Sequence, residues 1–189
     1  IMPMRAVATV FLALAMAATV AYAPAPPSTG LAAAGRAIWA QNMGDNPSVL
    51  VAMDSGDEGG MIAELAMGDP HRPSLFAVRG SRLLGAGGYN NQDYQPRFPT
   101  AAEAAREIDR YDIQFVIHQR RDPAIWYAPW VHVAQVAQVA AANPGRWQVV
   151  YQGGPPDRPV TIWRITDHAD KPLARDALLQ LSAPRSLPH

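Results

Sequence analysis

The sequence predicts an α/β fold: a three-layer sandwich with a mostly parallel sheet and an antiparallel C-terminal hairpin edge, preceded by one N-terminal transmembrane or signal helix. Three observations support this prediction. Helical patterns alternate with short apolar runs over residues 31–168, which is typical of strand–helix–strand units. Near the C-terminal end, two strand-like runs flank a Gly-Gly-Pro-Pro turn. At the other end, residues 6–23 carry no charged side chain.

The composition limits the class of protein. At 189 residues the chain has room for one domain of ordinary size. Its 16 basic and 16 acidic side chains balance without a run of like charge, which argues against a nucleic-acid partner. The absence of cysteine excludes disulfides and thiolate metal sites. Charged residues make up 17% of the chain, below the roughly one quarter of an average domain, which indicates an apolar segment beyond a normal core.

That apolar segment is Ala6–Ala23, which is followed by a short Pro/Ser linker over residues 24–30. A helix of this length is about 27 Å long, just sufficient to cross the hydrocarbon core of a membrane. Ala21-Tyr22-Ala23 also fits the end of a cleaved signal, although Pro24 directly after it hinders cleavage. A buried core helix is the third possibility. A span or a signal would place residues 24 onward on the extracytoplasmic side of the cell membrane, periplasmic or outer.

Residues 31–168 form the predicted extracytoplasmic domain. Val49–Met53 is a continuous apolar run, typical of a strand covered on both faces. Asp54–Gly60 then forms a predicted polar glycine loop, and Thr100 with Glu103 forms a capping box ahead of a later helix. In chain order the predicted elements are a helix at 31–39 capped by Ser28 or Thr29, a strand at 49–53, a helix at 61–67, a strand at 75–79, the helix after Thr100, a strand at 115–118, a helix at 133–140, strands at 147–151 and 160–165, and a short helix at 173–181 in a loose tail at 169–189.

The order of these elements carries a resemblance. From the apolar segment and proline linker the chain runs through GLAAAGRAIWAQN, VLVAMD and TAAEAAREIDRYDIQFVIHQ to the NPGRWQVVYQ and VTIWRI strands. Over most of residues 6–166 this order resembles the C-terminal extracytoplasmic domain of bacterial GT-C-type membrane glycosyltransferases. The resemblance implies a parent enzyme that takes a sugar from a polyprenyl-phosphate carrier. That family's catalytic acid lies in an early extracytoplasmic loop with no counterpart here, so no catalytic residue is implied in this chain.

Three carboxylates, Asp54, Asp57 and Glu58, follow the first predicted strand, at the edge where open α/β sheets bind ligands. Oxygen ligands of this kind suit a divalent cation, but the spacing lacks the full pattern of an EF-hand loop. The positive N-terminus of the next helix favours the same carboxylates as caps. The nearby glycines do not match a dinucleotide-binding pattern. We therefore predict neither a metal nor a cofactor, and keep the three carboxylates as candidates for substrate contact.

The segment Gly85–Pro99 is the best candidate for a binding loop, because long segments without secondary structure are usually binding loops, lids or flexible connectors. Its amide and phenol groups suit the hydroxyl groups of a carbohydrate. We expect it to lie at the same end of the sheet as the three carboxylates. Trp126 stacks on a sugar, faces lipid headgroups at the membrane surface or closes the edge of the core, and His118 is predicted to be structural. The candidate substrate-binding residues are Asp54, Asp57, Glu58, Tyr89, Asn90, Asn91, Tyr94 and Trp126.

These features predict a non-catalytic extracytoplasmic domain of a membrane glycosyltransferase, which is anchored through residues 6–23 and shapes the donor or acceptor entrance. Because the chain starts at Ile1 rather than Met, we expect it to be the tail of a longer chain. The expected partners are the membrane and a lipid-linked sugar or glycan acceptor. The alternatives are a stand-alone membrane-tethered module that binds a carbohydrate or peptide, and a small hydrolase that uses Asp54 or Asp57.

Overall fold

A computed structural model describes residues 30–41, 43, 47–68, 75–86, 94–120 and 131–167. Short helices and strands alternate through these residues. In chain order they are α1 (Leu31–Trp39), β1 (Ser48–Ala52), α2 (Ser55–Gly68), β2 (Phe76–Arg79), α3 (Gly80–Leu83), β3 (Gly85–Ala86), β4 (Gln95–Pro96), α4 (Ala101–Arg110), β5 (Phe115–Gln119), α5 (Val131–Ala142), β6 (Trp147–Gly153) and β7 (Val160–Ile165).

The main sheet has five strands in the order β2-β1-β5-β7-β6. Strand β1 pairs in parallel with β2 and with β5, whereas β7 runs antiparallel to both β5 and β6. Four of the five strands therefore point in the same direction, and the β6–β7 hairpin forms one edge. The prediction of an α/β fold with a mostly parallel sheet and an antiparallel C-terminal edge is confirmed.

Helices cover both faces of the main sheet. The alternating side chains of β1 show why both faces need this cover. Val49, Val51 and Met53 pack with α1 and α2 in one buried cluster. Leu50 and Ala52 point the other way and pack with α4 and α5 in a second cluster. Each fully buried large apolar side chain contributes about 1.5–3 kcal/mol, so a continuous apolar strand is stabilised from both sides.

Helix α2 begins earlier than the sequence predicts. The predicted glycine loop Asp54–Gly60 is wrong, since the helix starts at Ser55 and includes most of that segment. The Asp54 carboxylate accepts the backbone N–H of Asp57 at 3.0 Å and so caps the first turn. Glu58, Met61 and Leu65 are buried at helical spacing. Tertiary packing of this face overrides the weak helix propensity of the glycines.

Helix α1 differs from prediction at its start. Its N-cap is Gly30, in a left-handed conformation with φ 76°, rather than Ser28 or Thr29. Gly30 is needed there, because a Cβ would approach Gly154 Cα to 2.7 Å. The predicted cap by Ser28 or Thr29 is therefore wrong. By contrast, the capping box of Thr100 and Glu103 at the start of α4 is confirmed.

Part of the predicted loop Gly85–Pro99 is ordered as a small antiparallel sheet. Strand β3 pairs with β4 through Gly85 with Pro96 and Ala86 with Gln95. The Arg97 backbone N–H continues this contact by donating to the Leu84 carbonyl at 2.8 Å. The prediction of an irregular segment is thus wrong at Gly85–Ala86 and Gln95–Pro96, which are paired strands, whereas residues 87–93 lie outside the described part of the chain.

Several predicted elements fall outside the described residues. They include the apolar segment 6–23, the linker up to residue 29, the loop that carries Trp126, and the short helix at 173–181. Within the described parts of the chain, no helix is both long and apolar enough to cross a membrane. The structure gives the N-terminal helix no support, and it stays a prediction.

Candidate functional site

Polar side chains from separate segments meet at the carboxyl ends of β1 and β2. Open α/β sheets bind ligands at this edge. The backbone there turns away from the sheet into helices, so side chains that follow the strands face one another across a short distance. The groups that meet are the Met53 carbonyl after β1, Glu58 on α2, Arg79 at the end of β2, Ser81 on α3, Tyr94 just before β4 and His132 on α5.

Glu58 lies at the centre of this group and is fully buried. Its carboxylate accepts the Ser81 backbone N–H at 2.8 Å and the Ser81 hydroxyl at 2.5 Å. The Arg79 guanidinium donates to the same carboxylate at 3.2 Å. A buried carboxylate is costly unless it is paired and hydrogen-bonded, and Glu58 meets both conditions.

His132 is also fully buried and connects Glu58 to the β3–β4 hairpin. Its Nε2 lies 2.9 Å from the Met53 carbonyl oxygen and 3.2 Å from a Glu58 carboxylate oxygen. Both of these oxygens only accept hydrogen bonds, so a neutral ring carries its proton on Nε2. The other ring nitrogen, Nδ1, is then the acceptor for the Tyr94 hydroxyl, with which it is in hydrogen-bond contact.

Tyr94 is half-buried and meets the His132 ring edge-on, with the ring centroids 5.7 Å apart. Burial raises the pKa of the Tyr94 phenol above its ordinary value, and the negative charge of Glu58 adds to this against the opposing effect of Arg97. Tyr94 therefore keeps its proton at neutral pH, and its hydroxyl donates to Nδ1 when the His132 ring is neutral. The result is a chain of hydrogen bonds from Tyr94 through His132 to Glu58.

Two glycines allow this close approach. A Cβ at Gly85 would overlap the Tyr94 hydroxyl group. A Cβ at Gly80 would lie 2.9 Å from the Val51 carbonyl oxygen and 3.1 Å from His132 Cδ2. Both glycines border the hydrogen-bond chain, so the site is shaped by missing side chains as well as by polar ones.

The structure separates the residues that the sequence grouped as candidates. Glu58 and Tyr94 are joined through His132, at the end of the sheet that the sequence predicts for both. Asp54 caps α2, and Asp57 lies 3.9 Å from the Arg158 guanidinium. No group of three or more carboxylate and imidazole side chains that could hold a metal ion occurs among the described residues. Tyr89, Asn90, Asn91 and Trp126 lie outside those residues.

Sequence reasoning missed Arg79, Ser81 and His132. Each stands near an element boundary, and none has a motif-like spacing to Glu58. One signal was present: His132 is a polar residue on the buried side of an apolar helix, where it needs hydrogen-bond partners. His118, predicted to be structural, bonds through Nε2 to the Val133 carbonyl oxygen at 3.2 Å. Burial lowers the pKa of His118 to about 4, with smaller contributions from His132 and Arg120.

The fold and this edge define an α/β domain with a buried polar network where ligands commonly bind. Comparison with protein-family models, curated proteins and solved structures gives no match. The function must therefore be argued from the geometry of the site and from the order of elements along the chain.

Proposed function

We propose that this chain is the non-catalytic extracytoplasmic domain of a membrane glycosyltransferase that uses a sugar carried on polyprenyl phosphate. In this proposal the carboxyl edge of the sheet shapes the donor or acceptor entrance. The observation that carries the proposal is the position of Tyr94, an aromatic hydrogen-bonding side chain held at that edge by a buried network. The order of elements, which resembles that of such domains, is what supports a membrane glycosyltransferase as the parent enzyme.

The internal bonding of the network supports a binding role over a catalytic one. Both carboxylate oxygens of Glu58 bind protein groups, and both ring nitrogens of His132 do the same. A general acid or base must reach the reacting group of a substrate within hydrogen-bond distance. Here the carboxylate and the imidazole are fully buried and hold other residues in place. Only Tyr94 in the Tyr94–His132–Glu58 chain is partly exposed.

The chemistry of the edge supports a neutral, hydroxyl-rich ligand. Tyr94 combines an apolar ring with a hydroxyl group, which is the combination that carbohydrate binding uses. The buried charge of Glu58 is paired with the Arg79 guanidinium, so the carboxylate by itself does not repel the phosphate of the carrier. The ring and hydroxyl group of Tyr94 are therefore what favours the sugar as the part of the substrate that this edge would contact.

The first test asks which polypeptide carries the domain. An antibody against residues 30–167 should detect, in cells that express the gene from its own locus, a protein much larger than 20.4 kDa. That protein should stay in the membrane fraction after high-salt and carbonate washing. A 20.4 kDa membrane-bound product would favour the stand-alone binding module instead, and a soluble product that starts at Pro24 or later would show a cleaved signal.

The second test concerns chemistry. The isolated chain should show no glycosyl transfer from a polyprenyl-phosphate hexose and no glycoside hydrolysis, because its carboxylate and imidazole are occupied by protein partners. Turnover that disappears in the Asp54→Asn or Asp57→Asn variant would overturn the non-catalytic assignment and favour the hydrolase.

A further inference from the structure

We propose that the C-terminal segment of this chain, residues 168–189, packs as a helix on the β6–β7 hairpin and covers the face on which Val149 and Trp163 lie. The packing part is the helix that the sequence predicts at 173–181. Residues 168–189 lie outside the described part of the chain. The contact is within one chain and does not depend on which ligand the domain binds.

The face belongs to β6 and β7, on the side of the main sheet that carries α4 and α5. Val149 is directly opposite Trp163 in the paired strands, and Trp163 packs on the cluster beneath α4 and α5, so both side chains point to this side. Helix α5 lies against β1 and β5, whereas α1 lies against β6 and β7 from the other side. Trp163 is half-buried and Val149 is 52% exposed. The hairpin is therefore covered by a helix on one side and open at Val149 on the other.

A buried polar group on the same side lacks a partner among the described residues. Trp147 is 4% exposed, and its ring centroid lies 5.8 Å from that of Trp163. Its indole Nε1 has no hydrogen-bond acceptor within the described part of the chain. Buried indole N–H groups usually have a partner, so we expect the acceptor to come from residues beyond that part.

The end of β7 brings the C-terminal segment to this face. Strand β7 runs antiparallel to β5 and ends at the amino end of the sheet, where Ile165 pairs with Trp147. The described chain reaches Asp167, and residues 168–172 separate it from the predicted helix. Connections of about two to six residues are usual between a strand and the helix that packs on it. A helix after this connection would run back along β7 toward the carboxyl end of the sheet.

The predicted helix has the apolar side that this position needs. Leu173, Ala177, Leu178 and Leu181 lie on one stripe at helical spacing. A helix over 173–181 is about 14 Å long, which fits within the roughly 20 Å of the six-residue strand β7. Such a short helix is not stable alone in water, so it needs a surface on which to bury its stripe. The exposed side of Val149 and Trp163 supplies that surface.

Cross-linking tests the packed position, because the chain has no cysteine of its own. The full chain, residues 1–189, carries Val149→Cys together with Ala177→Cys and is treated with a short bismaleimide. In the matched control Gln148→Cys takes the place of Val149→Cys, since Gln148 is its neighbour on β6 and points to the other side of the sheet. The Val149–Ala177 pair should cross-link within one chain about tenfold faster than the control, because a segment that is tethered but not packed would reach both thiols at similar rates.

Hydrogen exchange followed by mass spectrometry tests the packing without a cross-link. Residues 173–181 should be protected in the parent chain, and Leu181→Asp, within the stripe, should raise their exchange rate at least about tenfold. Leu179→Asp is the matched control, because Leu179 lies off the stripe in a helix, and should leave the rate unchanged.

Three results would overturn the inference. They are equal cross-linking rates for the two cysteine pairs, unprotected exchange of residues 173–181 in the parent chain, and equal effects of Leu179→Asp and Leu181→Asp. Cross-links that join two chains would also overturn it, in favour of a second copy of this chain on the face. None of these results concerns the parent enzyme or the sugar, so this inference and the proposed function fail separately.

Discussion

Two polar networks connect helices to strands at opposite ends of the sheet, and they differ mainly in their exposure. At the carboxyl end, Glu58 and His132 are both 0% exposed. At the amino end, Arg146 joins Asp109 at the end of α4 to Asp167 after β7. There the side chains are 24%, 39% and 63% exposed, in that order. The Arg146 guanidinium donates two hydrogen bonds to the Asp109 carboxylate, at 3.0 and 2.7 Å.

The geometry of a polar contact alone does not set how much it contributes to stability. The bidentate Arg146–Asp109 pair has the better hydrogen-bond geometry, yet water competes for both partners and screens their attraction. Glu58 and His132 have no water to replace a lost partner, so removing either side chain leaves a buried polar group without that partner. We therefore expect substitutions in the carboxyl-end network around Glu58 and His132 to destabilise the protein strongly. Substitutions in the amino-end clamp (Arg146, Asp109 and Asp167) should have small effects on stability.

The largest effect should follow loss of the Glu58 carboxylate. Glu58→Ala removes the acceptor of Ser81 and Arg79 and the partner of His132, and should lower the free energy of unfolding by about 3–5 kcal/mol. Urea denaturation followed by circular dichroism measures this. Glu64→Gln, on the same helix, is the control and should change stability little. A loss below about 1 kcal/mol for Glu58→Ala would mean that water reaches the network.

Acid should destabilise the protein through His118, next to the carboxyl-end network. The pKa of His118 is about 4 in the folded protein, below its ordinary value of 6.5, so the unfolded chain takes up the proton first. The stability that His118 contributes above about pH 6.5 is therefore lost as the pH falls toward about 4, on the order of 3 kcal/mol.

Melting temperatures across this range, compared with those of His118→Gln, measure that contribution. The glutamine amide can still donate to the Val133 carbonyl but does not titrate, so the variant should show a shallower fall. Parallel curves for the two proteins would show that His118 is protonated alike in the folded and unfolded states.

Adding a side chain at Gly80 should lower the free energy of unfolding by an intermediate amount. In Gly80→Ala the new Cβ meets the backbone of β1 and the His132 ring, which cannot move away freely, and we expect a loss of about 1–3 kcal/mol. Gly145→Ala is the matched control, because nothing lies within 4 Å of a Cβ at that position. Chemical denaturation of both variants measures the two losses. Equal stability of Gly80→Ala and Gly145→Ala would show that α3 can shift without disturbing the network.

The smallest effect should come from the exposed clamp. Arg146→Ala should cost about 1 kcal/mol or less at low salt, and the cost should shrink at high salt because screening already weakens the parent interaction. Arg110→Ala, which removes an exposed arginine at the end of α4, serves as the control. A salt-independent loss of several kcal/mol for Arg146→Ala would place the clamp in the same class as the Glu58 network.

Local patterns in the sequence correctly predict most of the architecture, because they depend on neighbouring residues. The continuous apolar run of β1 requires cover on both faces, and the structure supplies it from two helical layers. The capping box at Thr100 depends on residues three positions apart. Local patterns are misleading where packing against residues that are distant in the sequence decides the secondary structure. The glycines of α2 read as a loop, yet the buried stripe of Glu58, Met61 and Leu65 holds them in a helix.

The sequence by itself therefore determines the α/β class, the order of the five main-sheet strands and the four longer helices along the chain, and the carboxyl edge as the place to look for a site. Only the tertiary structure joins Glu58 to His132, which lie 74 positions apart (132 − 58), and to Tyr94 between them. No local pattern predicts this contact, because the order of strands in the sheet and the packing of the helices decide which side chains face one another. Burial then decides its chemistry, since only the folded interior excludes the water that would otherwise satisfy these groups.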